Sequence, residues 1–155
     1  ACRAAFEQAL NDAGTDLPLT LLDGQGLEAM ASAEAVLTAS GTAPLECLLL
    51  QRPMAVAYRI SPMTYRLARH LVSTEHFSLP NLLADTPLVR EFIQDDVTAG
   101  NLGREILDLL DNTGRRKAMQ TQFREIHAAL RRNASEVAAT AVLQVAGWKE
   151  TDDGA

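Results

Sequence analysis

At 155 residues and 47% hydrophobic content, the chain is long enough to bury one core and lies near the usual size of a single domain, because the buried fraction rises with length. A formal net charge of −6 opposes a nonspecific nucleic-acid surface, which needs clustered Lys and Arg to displace counterions from phosphates. No apolar run approaches the roughly 18 residues of a membrane span, and the stretches Leu48–Leu50 and Met54–Tyr58 are core-sized.

Ala1 to Leu10 read as the body of a helix, with neither an initiating Met nor a basic leader before an apolar stretch, so a domain of a longer protein is expected. Hydrophobic periodicity predicts a helix over Arg3–Ala13, a strand at Leu17–Leu22, a short helix at Leu27–Ala33 and a strand at Ala35–Thr38. Ser40-Gly41-Thr42-Ala43-Pro44 then leads into a helix at Leu45–Gln51, a third strand at Met54–Tyr58 and a helix at Met63–Val72. Strands separated by helices of this length predict an α/β fold with a Rossmann-like parallel sheet and flanking helices.

From Asn81 onward the pattern reads as helical: Leu82–Ala84, Leu88–Ile93, Leu102–Leu110, Arg116–Arg132 and Glu136–Val145. Asn112-Thr113-Gly114 and Asn133-Ala134-Ser135 separate the later helices, with Ser135 as the expected N-cap and Gly147 as the stop. One domain over 1–147 is expected, with 148–155 a frayed charged tail. Leu130, Val137, Ala141, Val142 and Val145 offer apolar surface, expected to pack back on the sheet or to join two copies in a homodimer. Cys2 and Cys47 fit reduced, packed thiols and a cytoplasmic setting better than a disulfide framework.

The chemistry-bearing segment is Ala39-Ser40-Gly41-Thr42-Ala43-Pro44-Leu45-Glu46, where a strand turns through small and hydroxylated residues into a helix. The first turn of a helix leaves N–H groups unpaired and carries partial positive charge, so it suits a phosphate, and a glycine admits close approach. Glu46, one turn on, could accept hydrogen bonds from a ribose diol. The same residues also fit a capped helix with an exposed Glu. Arg59 follows a strand's carboxyl end, where open α/β sheets bind ligands, whereas Arg66 and Arg69 read as a solvated helix face. Asn81 starts a helix, as ligand contact or as N-cap. Glu91, Gln94, Asp95 and Asp96 read as solvated surface, and no His or Cys joins them, so no metal and no cofactor are expected. His70, His76 and His127 lack a nucleophile turn beside them, and neither G-x-G-x-x-G nor a P-loop is present.

Read in order, Leu21-Leu22-Asp23-Gly24-Gln25, Ala39 to Glu46, Arg52-Pro53-Met54-Ala55-Val56-Ala57-Tyr58-Arg59 and Ser78-Leu79-Pro80-Asn81-Leu82-Leu83-Ala84 resemble the lipid-A-disaccharide synthase family. The likeness continues through Leu88 to Asp96, Phe123 to His127 and Ala138 to Ala146, covering about residues 17 to 147. Departures are Pro44 where the family often has Thr, Asp85-Thr86-Pro87 in place of Gly-Arg-Glu, and Val97 where Cys is frequent.

The resemblance implies the C-terminal, UDP-binding half of a two-domain GT-B glycosyltransferase. Such an enzyme transfers diacylglucosamine from UDP-2,3-diacylglucosamine to a lipid monosaccharide phosphate at the inner face of the cytoplasmic membrane. Carried over, Ser40, Gly41 and Thr42 match the diphosphate turn, Glu46 the ribose contact and Asn81 the Asn of the nucleotide site, with Arg59 and Gln25 as further contacts. The family's glycine-serine-arginine loop and its N-terminal domain, with the catalytic carboxylate, would precede Ala1, so the chain alone is expected to be inactive. Two other readings remain open: another GT-B enzyme such as a peptidoglycan glycosyltransferase or a UDP-sugar epimerase, and a noncatalytic α/β interaction module.

Overall fold

The computed structural model describes residues 2–14, 18–39, 41–61, 63–66 and 76–147. In chain order the elements are α1 (Cys2–Ala13), α2 (Gly26–Ser32), β1 (Val36–Ala39), α3 (Ala43–Leu49), β2 (Met54–Tyr58), a short α4 (Leu79–Leu82), β3 (Arg90–Ile93), a 3-10 turn at Gln94–Asp96, α5 (Ala99–Asp111), α6 (Thr113–Leu130) and α7 (Ala134–Val145). Residues 63–66 form a further helical turn. The fold is mixed α/β, a three-stranded parallel sheet flanked by helices, as a Rossmann-like domain with C-terminal helices would have.

The strands lie in the order β1-β2-β3, with Val36 opposite Met54 and Ala39 opposite Ala57 on one side, and Ala55 opposite Arg90 and Tyr58 opposite Ile93 on the other. Met54, Ala55 and Val56 are buried in succession, as the central strand of a parallel sheet demands, since helices cover both its faces. Cys47 and Leu48 of α3, Leu109 of α5, and Met119 and Phe123 of α6 close over Met54, Val56 and Val89 to form the core.

Local chemistry sets the helix ends. Pro44 sits in the first turn of α3, where its missing N–H removes nothing from the helix ladder. At the other end Gln51 takes φ 56, Arg52 N–H donates to Cys47 O at 3.0 Å and Gln51 N–H to Leu48 O at 2.8 Å. This is a Schellman termination on a non-glycine residue, so α3 stops at Leu49 rather than at Gln51. Asn112 serves two helices: its N–H bonds Asp108 O at the end of α5, and its side chain accepts from Arg115 N–H at the start of α6. Below that corner, Glu105 is buried and bonded by Arg115 at 2.5 Å, while Arg115 also reaches Asp108 at 2.5 Å.

Four expectations change. The segment Leu17–Leu22 is not a strand over its described part, 18–22, which has no regular structure and leaves Leu19, Leu21 and Leu22 exposed. Pro18 has no N–H to give a ladder. Leu88–Ile93 is not helical: Arg90–Ile93 is the third strand, because the outer side of β2 needs partners for its backbone groups and β3 supplies them. The cap of α7 is Asn133, at φ 47 with its Nδ2 on Glu136, rather than Ser135. Helix α7 does not pack on the sheet, since Val137, Val142 and Val145 are exposed. The tail 148–155 and most of the Met63–Val72 helix, with Arg69 and His70, lie outside the described residues.

Candidate functional site

In a parallel sheet all strands end at one edge, and here that edge collects Ala39 with the turn after it, Tyr58 with Arg59, and Ile93 with Gln94. Gly41 follows β1 at φ 131, a conformation that favours glycine. A Cβ there would meet no heavy atom within 4 Å, so the turn is open to its surroundings. Thr42 precedes α3 in helical conformation, exposed, and its hydroxyl does not cap the helix. Ser40 lies outside the described residues.

Glu46 is in the first turn of α3 and half-buried; its N–H bonds Thr42 O at 3.1 Å, and among the described residues no side chain holds its carboxylate. Arg59 is exposed immediately past β2, and no acid pairs with it among the described residues. Gly41, Thr42, Glu46 and Arg59 thus belong to the turns and the helix start at the ends of two adjacent strands, about 5 Å apart across the ladder. Gln25 is the exposed N-cap residue of α2 and makes no capping bond with its side chain.

Asn81 is placed differently. It is buried, and its Nδ2 donates to Val89 O and to a Glu91 carboxylate oxygen, both at 2.8 Å. Its Oδ1 accepts from Leu88 N–H at 2.8 Å and Val89 N–H at 2.9 Å. A carboxamide has two donors and two acceptor sites, so none remains for a ligand or for capping. Asn81 ties the Leu79-Pro80-Asn81 segment to the entrance of β3.

Sequence reasoning missed Glu91 and Gln94, which it left on a solvated surface. Glu91 accepts from Phe77 N–H at 2.9 Å, Ser78 N–H at 3.0 Å and Ser78 Oγ at 2.5 Å, besides Asn81. Gln94 bonds both backbone groups of Ile60. The signal available was the buried Val89 two residues before Glu91, a spacing that puts both on one face of an extended strand, and it becomes legible once Arg90–Ile93 is read as a strand. Asp95 and Asp96 are exposed, as expected.

Two concavities among the described residues lie away from this edge. One of about 340 Å³ is lined by Arg90, Asn101, Arg104, Glu105, Asp108 and Arg115, several of them already bonded to one another. Another of about 580 Å³ lies between α6 and the segment after α4, with Leu83, Ile126 and Leu130 in its walls. Neither contains a residue expected at the nucleotide. Burial pushes the Cys47 thiol up from its ordinary 9.0 to about 12, so it is an inert core group. No helix among the described residues is long and apolar enough to cross a membrane.

The family model for lipid-A-disaccharide synthetase matches residues 1–145. Lipid-A-disaccharide synthase of Azotobacter vinelandii is 51% identical over 145 residues, 93% of this chain and 37% of that protein. The enzymes of the same name from two Escherichia coli strains, SMS-3-5 and K12, are 48% and 47% identical over 144 residues, 93% of the chain and 38% of theirs. The chain therefore spans less than two fifths of the length of these relatives. With a match over nearly its whole length, the chain belongs to the lipid-A-disaccharide synthase family.

Proposed function

We propose that the chain is the UDP-sugar-binding part of an inverting glycosyltransferase of GT-B architecture. That enzyme passes 2,3-diacylglucosamine from UDP to 2,3-diacylglucosamine 1-phosphate in lipid A biosynthesis. The observation that carries this reading is the turn after β1: Gly41 at φ 131, open on its Cβ side, leads into α3 with Glu46 in its first turn, beside the exposed Arg59 at the end of β2. Family membership supports the substrate class.

On this reading the amides at the start of α3, with the hydroxyls of Ser40 and Thr42, receive the diphosphate, and Glu46 accepts from the ribose hydroxyls. As the bond between sugar and phosphate breaks, negative charge grows on the departing UDP. Donors already oriented toward that charge, Arg59 among them, lower the barrier because they need no rearrangement as it forms. Gln25 is the outermost contact, and Asn81 acts through the fold, by fixing the backbone at the entrance of β3. The catalytic carboxylate and the acceptor site belong to the part of the relatives that this chain does not span. The chain by itself binds the nucleotide without turnover, and the whole enzyme works at the inner face of the cytoplasmic membrane.

Isothermal titration of the intact protein with UDP tests the assignment. Saturable binding is expected, and Glu46→Ala should weaken it by about tenfold, the value of one hydrogen bond to a charged group. Absence of UDP binding, or a Glu46→Ala protein that binds as the parent does, would refute it. An interaction module predicts no UDP binding, and another GT-B enzyme would bind UDP but prefer a different UDP-sugar.

A further inference from the structure

Strand β3 pairs with β2 as far as Tyr58 opposite Ile93. At Gln94 the backbone turns to φ 52, a left-handed conformation uncommon outside glycine, and leaves the sheet. The ladder does not stop there. Gln94 Oε1 accepts from Ile60 N–H at 2.8 Å, and its Nε2 donates to Ile60 O at 3.0 Å. A carboxamide carries the same donor and acceptor as a peptide group, so the side chain replaces the next peptide of the strand. Arg59 consequently sits between two fixed points: Tyr58, held by the sheet, and Ile60, held by Gln94. On the other side of β2, Ala39 lies opposite Ala57, so Gly41, two residues past the end of β1, and Arg59, one residue past the end of β2, both follow the same edge of the sheet.

We propose that Gln94 is a positioning residue of the nucleotide edge, whose carboxamide clamps Ile60 and so holds Arg59 beside the Gly41 turn, where the diphosphate of a UDP-sugar binds. This rests on the reading of that edge given above. It assigns Gln94 an indirect role, acting through Arg59, and accounts for an uncharged side chain making a two-point bond to the backbone that follows β2.

A double-mutant cycle on the intact protein, titrated with UDP, tests the coupling. Arg59→Ala and Gln94→Ala should each weaken UDP binding by about tenfold, the typical value of one charge-assisted contact. The double variant should be no weaker than either alone, because residues acting through one contact are not additive. Losses that multiply to about a hundredfold, or a Gln94→Ala protein with parental affinity, overturn the proposal. Gln94→Glu provides a second variant: it keeps the acceptor for Ile60 N–H but sets a carboxylate against Ile60 O, and it should show the same dependence on Arg59. If both Gln94 variants are unfolded where the parent is folded, Gln94 serves the fold and the proposal is overturned. Loss of UDP binding in Glu46→Ala with none in Arg59→Ala would keep the nucleotide site and reject the role of Gln94. Failure of the parent protein to bind UDP would instead remove the functional reading itself.

Discussion

Asn81 illustrates how little of a residue's role can be read from its neighbours in sequence. Within Leu79-Pro80-Asn81-Leu82 it could be a ligand contact or a cap, since Asn suits both. In the folded chain its carboxamide instead meets Leu88, Val89 and Glu91, residues seven to ten positions away. Asn81→Ala would leave two N–H groups and a carbonyl unpaired at the entrance of β3. At roughly 1–3 kcal/mol for each buried polar group left unsatisfied, with some relaxation, stability should fall by about 3 kcal/mol. Urea denaturation followed by circular dichroism measures this, and a loss below about 0.5 kcal/mol, the range of an ordinary surface change, would contradict the bonding described. The Ser-Gly-Thr turn and Glu46, by contrast, were legible as a candidate site because strand, small turn and helix start are consecutive in the chain.

Among the elements, α3 carries the candidate site at one end and a strained termination at the other. Gln51 holds a left-handed conformation that costs a side-chain residue about 1 kcal/mol and glycine very little. Gln51→Gly should therefore raise stability by up to about 1 kcal/mol, less what glycine adds to the entropy of the unfolded chain, and it should leave UDP binding unchanged. A thermal melt checks the sign, and a lowered midpoint would show that the Gln51 side chain holds something more. The strand β3 shows the converse problem. Leu88, Val89, Phe92 and Ile93 have helical spacing over a stretch too short for periodicity to decide. The backbone requirement of β2 decided it, and with it the bonding roles of Glu91 and Gln94.

Taken as a whole, the chain closes one core around Met54, Val56, Leu109 and Phe123, and Cys47 lies inside it. Its thiol, at about 12 in the fold and 9.0 ordinarily, stays protonated in the folded state while the unfolded chain ionises. The unfolded state then binds fewer protons between those values, so stability is full below pH 9.0 and declines as pH rises from there toward about 12. Cys47→Ala should be less stable at neutral pH but lose less on going from pH 8 to 10.5, which paired urea titrations at the two values would measure. An equal alkaline loss in both proteins would rule out this source. The sequence by itself determined the α/β class, the buried central strand, the helices α5 to α7 within a few residues, and the family. These rest on consecutive residues: apolar runs, helical spacing and the ordered blocks of the resemblance. Tertiary structure alone decided that Arg90–Ile93 is the third strand, that Leu17–Leu22 is not a strand in its described part, and that the side chains of Asn81, Glu91 and Gln94 bond backbone groups of neighbouring segments. Each of those outcomes depends on backbone groups finding partners far along the chain, and local pattern carries no record of such partners.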